Sequence, residues 1–244
     1  MLHTIDGNTE YADPHVAFMR RRLGNGWSAR LGFMKTWCPP EANALDTGCG
    51  YGEYALPMAT IAAHVDALDI SQHALDAVGA FAAELELGNV NTIQADLLSW
   101  SAGRDGQYNF CMCLGTLMLL DPQTRRSFLE TFHRLLSDDG YLLVDFYTPR
   151  YFLYRAFIAK LSLRDKTYSF LVFFHRMLRR AHLTKARFER EIAECGFTIV
   201  SCGKDILYPS SSYHACRSVE GNNFDTIIGP YFEPYVLKRG PRKS

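Results

Sequence analysis

An apolar run of strand length over residues 43–47 is followed by glycines at alternate positions: Gly48, Gly50 and Gly52. Glycine has no Cβ, so a turn built this way can bend sharply and bring the backbone close to a ligand. Asp46 stands two residues before the first glycine, at the end of the predicted strand. A helix-period segment follows, and the backbone N–H groups at its start can bind a ligand. The pattern predicts a nucleoside-binding turn.

Two further acids follow the next two predicted strands. Asp69 lies at the end of the apolar run over residues 64–70, and Asp96 comes after the run over residues 90–94. The carboxyl ends of parallel strands meet at one edge of a sheet, where open α/β sheets bind their ligands. A carboxylate at Asp69 can accept hydrogen bonds from two ribose hydroxyls. The alternative for both acids is local: Asp69 as a helix cap beside Ser71, and Asp96 as a cap or turn residue.

The elements that must position these acids alternate along the chain. Strand-length apolar runs lie at residues 43–47, 64–70, 90–94, 108–114 and 141–146, and helix-period segments lie at residues 53–63, 72–87 and 122–136. Five strands that alternate with helices predict an α/β fold, in which helices cover both faces of a parallel sheet. Residues 137–140 predict a turn between the last of these helices and the last strand.

The C-terminal third of the chain is less regular. An amphipathic helix is predicted over residues 184–195, ended by Gly196, and a sixth strand over residues 197–201. A seventh strand is predicted over residues 211–217. It follows the sixth too closely for a helix between them, which predicts an antiparallel hairpin at the end of the sheet.

Three segments lie outside this pattern in a chain that we interpret as one domain, residues 1–244. Residues 1–40 predict a helical cap. Residues 149–183 are rich in aromatic and basic residues and predict a lid or substrate-binding insertion, because insertions of this size inside a domain are usually functional. Residues 219–244 are a tail whose role the sequence does not define, and residues 238–244 predict disorder.

The composition argues against a nucleic-acid-binding, membrane-spanning, secreted or metal-binding protein. Lys plus Arg equals Asp plus Glu, 26 each, so the net charge favours neither nucleic acid nor a membrane surface as a partner. No run approaches the roughly 18–20 apolar residues that span a bilayer, and the N-terminus lacks a secretory pattern. The seven cysteines form no C-x-x-C pair, which predicts reduced thiols in a cytoplasmic protein and no metal site. Whether the chain is a monomer or a homodimer stays open.

The glycine turn with its strand-end acid resembles the first motif of the class I S-adenosylmethionine-dependent methyltransferases. The resemblance implies a Rossmann-like, seven-stranded, mostly parallel sheet with one reversed strand, and S-adenosylmethionine as cofactor. It implies that the turn holds the methionine part and ribose, and that Asp96 and the Leu97 backbone contact the adenine. Tyr11 is expected to cover the cofactor, where an aromatic face would attract a sulfonium. The implied cofactor-binding residues are Tyr11, Asp46, Gly48, Cys49, Gly50, Gly52, Asp69, Ile70, Asp96, Leu97, Leu114 and Gly115.

A dinucleotide-binding enzyme is the rival interpretation. Residues 50–55 also fit G-x-G-x-x-A, the fingerprint of NAD(P)-dependent oxidoreductases. Gly48 and Asp46 belong to the methyltransferase pattern instead, and about 40 residues precede the strand, whereas dinucleotide domains often begin at the strand itself. Asp69 suits both interpretations.

The residues after the fourth predicted strand, 114–117, bear on the acceptor. They lack the Asn/Asp-Pro-Pro-aromatic motif of enzymes that methylate nucleobase amino groups, and Cys38 lacks the context of a cytosine C5 nucleophile. The chain therefore resembles the small-molecule branch, with in-line methyl transfer to a metabolite or natural-product intermediate. Two alternatives keep the cofactor: displacement within its aminobutyrate chain, which releases methylthioadenosine, and cofactor binding without catalysis.

No fixed catalytic base stands out, and a positioned acceptor needs none unless it must lose a proton. The weak candidates are Tyr147, Tyr151, His175, Tyr213 and His214, each of which suits packing or lid structure as well. The candidates for binding a carboxylate or phosphate of the acceptor are Arg150, Arg155 and Arg176. The alternatives for this basic insertion are a lid whose arginines face water and a surface that contacts membrane or nucleic acid.

Overall fold

The computed structural model describes residues 16, 17, 20, 23, 31, 32, 34–147, 184–202 and 232–241, without the side chains of Tyr147, Phe232 and Glu233. Within the predicted cap, residues 16, 17, 20, 23, 31, 32 and 34–37 are helical. The predicted insertion over residues 149–183 lies outside the described residues, and so does most of the C-terminal tail.

The described strands form one seven-stranded sheet in the order β3-β2-β1-β4-β5-β7-β6. Their bounds are β1 Asn43–Thr47, β2 His64–Asp69, β3 Val90–Gln94, β4 Tyr108–Cys113, β5 Leu136–Tyr147, β6 Phe197–Cys202 and β7 Phe232–Arg239. Strands β1 to β5 pair in parallel, and β7 pairs antiparallel with both β5 and β6. The mostly parallel α/β sheet with one reversed strand is therefore confirmed.

The helices follow the strands as their capping residues predict. Their bounds are α1 Ala55–Ala59, α2 Gln72–Glu84, α3 Leu97–Trp100, α4 Pro122–Leu135 and α5 Lys185–Glu194, with a 3-10 turn at Leu117–Leu119. The side chains of Ser71, Asp121 and Thr184 cap α2, α4 and α5 by accepting N–H groups of the first turn. Such caps satisfy donors that have no partner inside the helix, which is why these residue types begin helices.

The prediction of the seventh strand is wrong. The strand beside β5 and β6 is β7, and residues 211–217 lie outside the described residues. Residues 203–231 separate β6 from β7, so the two strands are not a tight hairpin. Lys238, predicted to be disordered, pairs with Thr198 and lies 3.3 Å from Asp139. The sequence did not predict β7, because its internal Pro234 normally argues against a central strand.

The turn predicted over residues 137–140 is wrong as a separate element. Strand β5 is continuous from Leu136, but its register with β4 jumps from Tyr108 paired with Leu136 to Phe110 paired with Tyr141. Residues 137–140 are thus an irregularity at the start of the strand, and regular pairing begins at Tyr141, as the apolar run predicts.

The core has two parts, one on each face of the sheet. On β1, Ala44 packs into the part formed with α1, α2 and the N-terminal helical residues, and Leu45 packs into the part formed with α4 and α5. Successive side chains of a strand point to opposite faces, so β1 and β4 are buried on both sides. This arrangement leaves the carboxyl ends of the central strands as the place where a ligand can reach the sheet.

Two ion pairs join helical segments to this core. Arg125 on α4 is 4% exposed and binds Glu191 on α5 through two hydrogen bonds of 2.8 and 3.0 Å. Arg20, from the N-terminal segment, is 1% exposed, binds Glu84 on α2 and lies over the Phe81 ring. The second pair fixes the N-terminal segment against the helix that follows β2.

We expect the Arg125→Met variant to lose about 3 kcal/mol of unfolding free energy, because the largely buried Glu191 carboxylate keeps only Arg187, at 3.6 Å, as an ion-pair partner. Arg126→Met is the matched control. Its side chain is 49% exposed in its pairs with Glu130 and Glu194, and we expect a loss below about 1 kcal/mol. Urea unfolding measures both, and equal losses would contradict this assignment.

Candidate functional site

The glycine turn after β1 has the backbone that its sequence predicts. Gly48, Gly50 and Gly52 have φ values of 69°, 53° and 80°. A Cβ on Gly48 would collide with the Thr116 side chain, so the turn packs tightly against the loop after β4. A Cβ on Gly50 would meet no described atom within 4 Å, so among the described residues the turn is open at its middle glycine.

Asp69 ties this turn to the end of β2. Its Oδ2 accepts a hydrogen bond of 2.9 Å from the Gly50 N–H, and its Oδ1 accepts one of 2.9 Å from the Ser71 N–H. Ser71, rather than Asp69, is the N-cap of α2. Each carboxylate oxygen keeps further accepting capacity, because an ionised carboxylate has about four lone-pair sites. Asp69 can therefore hold the turn and still bind hydroxyl groups.

Asp46 is a buried acid behind the turn. Its side chain is 3% exposed, and its Oδ2 has no hydrogen-bond partner among the described residues. Burial raises the pKa of Asp46 to about 7, the Ala55 N–H opposes this rise, and the charges of Asp69 and Glu53 add to it. This carboxyl can exchange a proton near neutral pH.

Asp96 lies at the neighbouring strand end. Its Oδ1 accepts from the Leu98 and Ser99 N–H groups at 3.0 and 3.3 Å, so it caps α3. Its side chain is exposed, and the described hydrogen bonds of its carboxylate use Oδ1, so Oδ2 can bind a ligand. The Leu97 side chain is buried in the core, so the Leu97 backbone is the part that can contact a ligand. Asp96 is thus a helix cap, as the local alternative predicted, and this role is compatible with a contact to adenine.

An exposed apolar side chain accompanies these acids. Ile70 follows Asp69 directly and is 75% exposed. Cys49, in contrast, is buried, and burial raises the pKa of its thiol. Cys49 can therefore contribute its backbone to a ligand site, but it is poorly suited to act as a thiolate.

The loop after β4 completes the edge. Gly115 has a φ of 73°, and its N–H donates a hydrogen bond of 2.7 Å to Oδ2 of Asp145 on β5. Asp145 is fully buried. Sequence analysis missed Asp145, because an acid inside an apolar run looks like an interruption of a strand. The signal that could have found it is that same placement, since a buried carboxylate needs a donor.

The fold therefore brings together most of the predicted cofactor-binding residues at the carboxyl edge of β1, β2, β3 and β4. Tyr11 lies outside the described residues. The same holds for four catalytic candidates and all three arginines: Tyr151, His175, Tyr213, His214, Arg150, Arg155 and Arg176. Tyr147 ends β5 at this same edge, and its side chain is not described.

The arrangement fits a nucleoside cofactor with a polar ribose and an apolar base. The open side of Gly50 leaves room beside the turn, Asp69 can accept from hydroxyl groups there, and Ile70 presents an apolar surface next to it. No group of three or more His, Cys, Asp or Glu in the described part of the chain could hold a metal ion.

Comparisons with known proteins agree with this geometry. Residues 44–140 match the sequence profile of a family described as "Methyltransferase domain". No curated protein matches the chain by sequence. None of the described helices is long and apolar enough to cross a membrane.

The fold is similar to that of several solved methyltransferases. A TehB-like S-adenosylmethionine-dependent methyltransferase from Corynebacterium glutamicum aligns with 92% of this chain and 98% of its own, at 15% identity and a TM-score of 0.57. Magnesium protoporphyrin IX methyltransferase from Synechocystis was solved with S-adenosylmethionine. It aligns with 96% of this chain and 88% of its own, at 18% identity and a TM-score of 0.57.

A third structure comes from work on the conversion of a disulfide bond into a thioacetal group during echinomycin biosynthesis. It aligns with 88% of this chain and 82% of its own, at 20% identity and a TM-score of 0.61. The matched profile, the sheet order and the glycine turn agree with one another. Residues 44–140 are a methyltransferase domain, and the described sheet has the fold of S-adenosylmethionine-dependent methyltransferases.

Proposed function

We propose that this chain transfers the methyl group of S-adenosylmethionine to a small molecule by in-line displacement. The acceptor is a metabolite or a natural-product intermediate. The observation that carries the proposal is the loop after β4. Its sequence, Leu-Gly-Thr-Leu over residues 114–117, lacks the prolines and the aromatic residue that recognise a nucleobase amino group. Two structural neighbours support it: one is a magnesium protoporphyrin IX methyltransferase, and one comes from work on echinomycin biosynthesis.

In this proposal the described residues bind and orient. We assign Asp69 to the ribose hydroxyls, Asp96 to the adenine amino group and Ile70 to the face of the base. The backbone of the turn at Gly48 and Gly50 would hold the remainder of the cofactor. S-adenosylmethionine supplies a methyl group already activated by its sulfonium. The chain's main contribution to rate is then to position an acceptor in a dry pocket.

Apart from Tyr147, which ends β5 and whose side chain is not described, the candidates on the acceptor side lie beyond the described part of the chain. Tyr147, Tyr151, His175, Tyr213 and His214 stay candidates for a base. Arg150, Arg155 and Arg176 stay candidates for binding an acidic acceptor. Their shared support is position in the sequence, after β5 and after β6, where segments that follow these strands can reach the carboxyl edge.

The experiment is incubation of the purified chain with S-adenosylmethionine and pools of small molecules, followed by mass spectrometry. We expect S-adenosylhomocysteine as coproduct and one pool component heavier by one methylene. Methylthioadenosine as coproduct would replace methyl transfer with displacement in the aminobutyrate chain. Turnover on nucleic acid alone would overturn the proposed acceptor class. Thermal shifts by S-adenosylhomocysteine and NADPH give a binding control, because a ligand of the native state raises the melting temperature.

Gly50→Ala tests the placement of the cofactor against the turn. The new methyl group would enter the open space beside Gly50, and we expect S-adenosylhomocysteine to bind about tenfold to a hundredfold more weakly in a calorimetric titration. Gly103→Ala is the matched control, since Gly103 has a φ of 73° and the same open surroundings away from the site. Both variants carry a similar backbone cost of about 1–2 kcal/mol. Equal affinities would contradict the placement.

The raised pKa of Asp46 predicts that the free energy of unfolding depends on pH. Its folded pKa of about 7 lies above the ordinary value, so the unfolded chain binds fewer protons than the folded one between about pH 4 and pH 7. Stability should therefore fall as the pH rises through this window, by about 4 kcal/mol in total. Asp46→Asn should flatten the dependence measured by urea unfolding at several pH values. Asp76→Asn, at an exposed acid of α2, should leave it as in the wild type.

A further inference from the structure

Asp145 is a buried charge-bearing group that sequence analysis did not assign. It lies on β5, paired in register with Pro234 of β7, and is fully buried. Burial of a carboxyl is costly unless hydrogen bonds compensate it. The Gly115 N–H provides one at 2.7 Å, a length typical of a charge-assisted bond. The structure therefore directs this buried carboxyl at the Gly115 N–H.

The N–H that Asp145 binds belongs to a loop with a demanding backbone. Gly115 has a φ of 73°, and Leu114 beside it packs partly into the core on the α1 and α2 face. The next residue, Thr116, occupies the space in which a Cβ on Gly48 would stand. Contacts thus run from Asp145 through the loop after β4 to the glycine turn, across three neighbouring strands.

We propose that Asp145 is a positioning residue for cofactor binding. By accepting the Gly115 N–H, Asp145 fixes the position of residues 114–116. The backbone of these residues then forms one wall of the cofactor site together with the turn at Gly48. The proposal rests on the proposed function to the extent that it places the cofactor against this loop. It needs no contact between Asp145 and the cofactor.

The test compares two substitutions of Asp145 by calorimetric titration with S-adenosylhomocysteine. Asp145→Asn keeps a carbonyl oxygen that can accept the Gly115 N–H, and we expect a loss of affinity below about threefold. Asp145→Leu keeps the branch at Cγ, in a larger side chain, without an acceptor, and we expect a loss of about tenfold to a hundredfold. Affinity of the Leu variant equal to the wild type would overturn the proposal.

Val144→Ala separates positioning from general stability. Val144 is buried on the same strand but faces the other core cluster, so truncation should lower the melting temperature without changing affinity. If Val144→Ala loses both stability and affinity, as Asp145→Leu does, then affinity follows general stability and the proposal is overturned. If the Leu variant does not fold, the amide resonance of Gly115 in Asp145→Asn still tests the bond.

The amide resonance of Gly115 gives a direct readout. In the wild type we expect it far downfield, as a short bond to a carboxylate requires, and we expect it to move upfield in Asp145→Asn. An unchanged resonance would contradict the bond. Failure of the proposed function looks different: the resonance would respond as expected, but the wild type would bind S-adenosylhomocysteine and methylate no small molecule.

Discussion

Burial of the central strands on both faces is the constraint on which the rest of this structure depends. Strands β1 and β4 are packed between two parts of the core, so side chains along most of their length must be apolar. Chemistry is then confined to the ends of the strands. At the carboxyl ends the chain places glycines and acids whose polar groups are bonded to the backbone of neighbouring turns.

Three acids share one face of the sheet at this edge. Asp46, Asp69 and Asp145 each lie two residues beyond an apolar residue of the α1 and α2 face, so strand alternation directs all three toward it. Their surroundings differ. Asp69 is partly exposed and accepts the N–H groups of Gly50 and Ser71. Asp145 is fully buried and accepts the Gly115 N–H. Asp46 has an oxygen without a partner among the described residues. We therefore propose different roles for these similar carboxyls: Asp69 as a ligand group, Asp145 as a positioning group, and Asp46 as a group whose burial raises its pKa to about 7.

The family assignment and the acceptor depend on different parts of the chain. The matched profile covers residues 44–140, from β1 to the start of β5, where the cofactor side of the site lies. The remaining strands, β6 and β7, complete the sheet away from that side. Segments that join the later strands are the places where methyltransferases of one fold can differ in acceptor, because loops vary on a rigid scaffold.

The sequence alone determined the class of fold, the glycine turn and the acids at the ends of β2 and β3, because local patterns carry that information: apolar runs, glycines and caps. Strand β7 needed the tertiary structure, since Pro234 weakens its local signal and its partners are distant in sequence. Asp145 needed it too, because its donor at Gly115 is 30 residues away and meets it only when β4 and β5 pair. The tertiary structure decides which polar groups face each other across strands, and no local pattern records those distances.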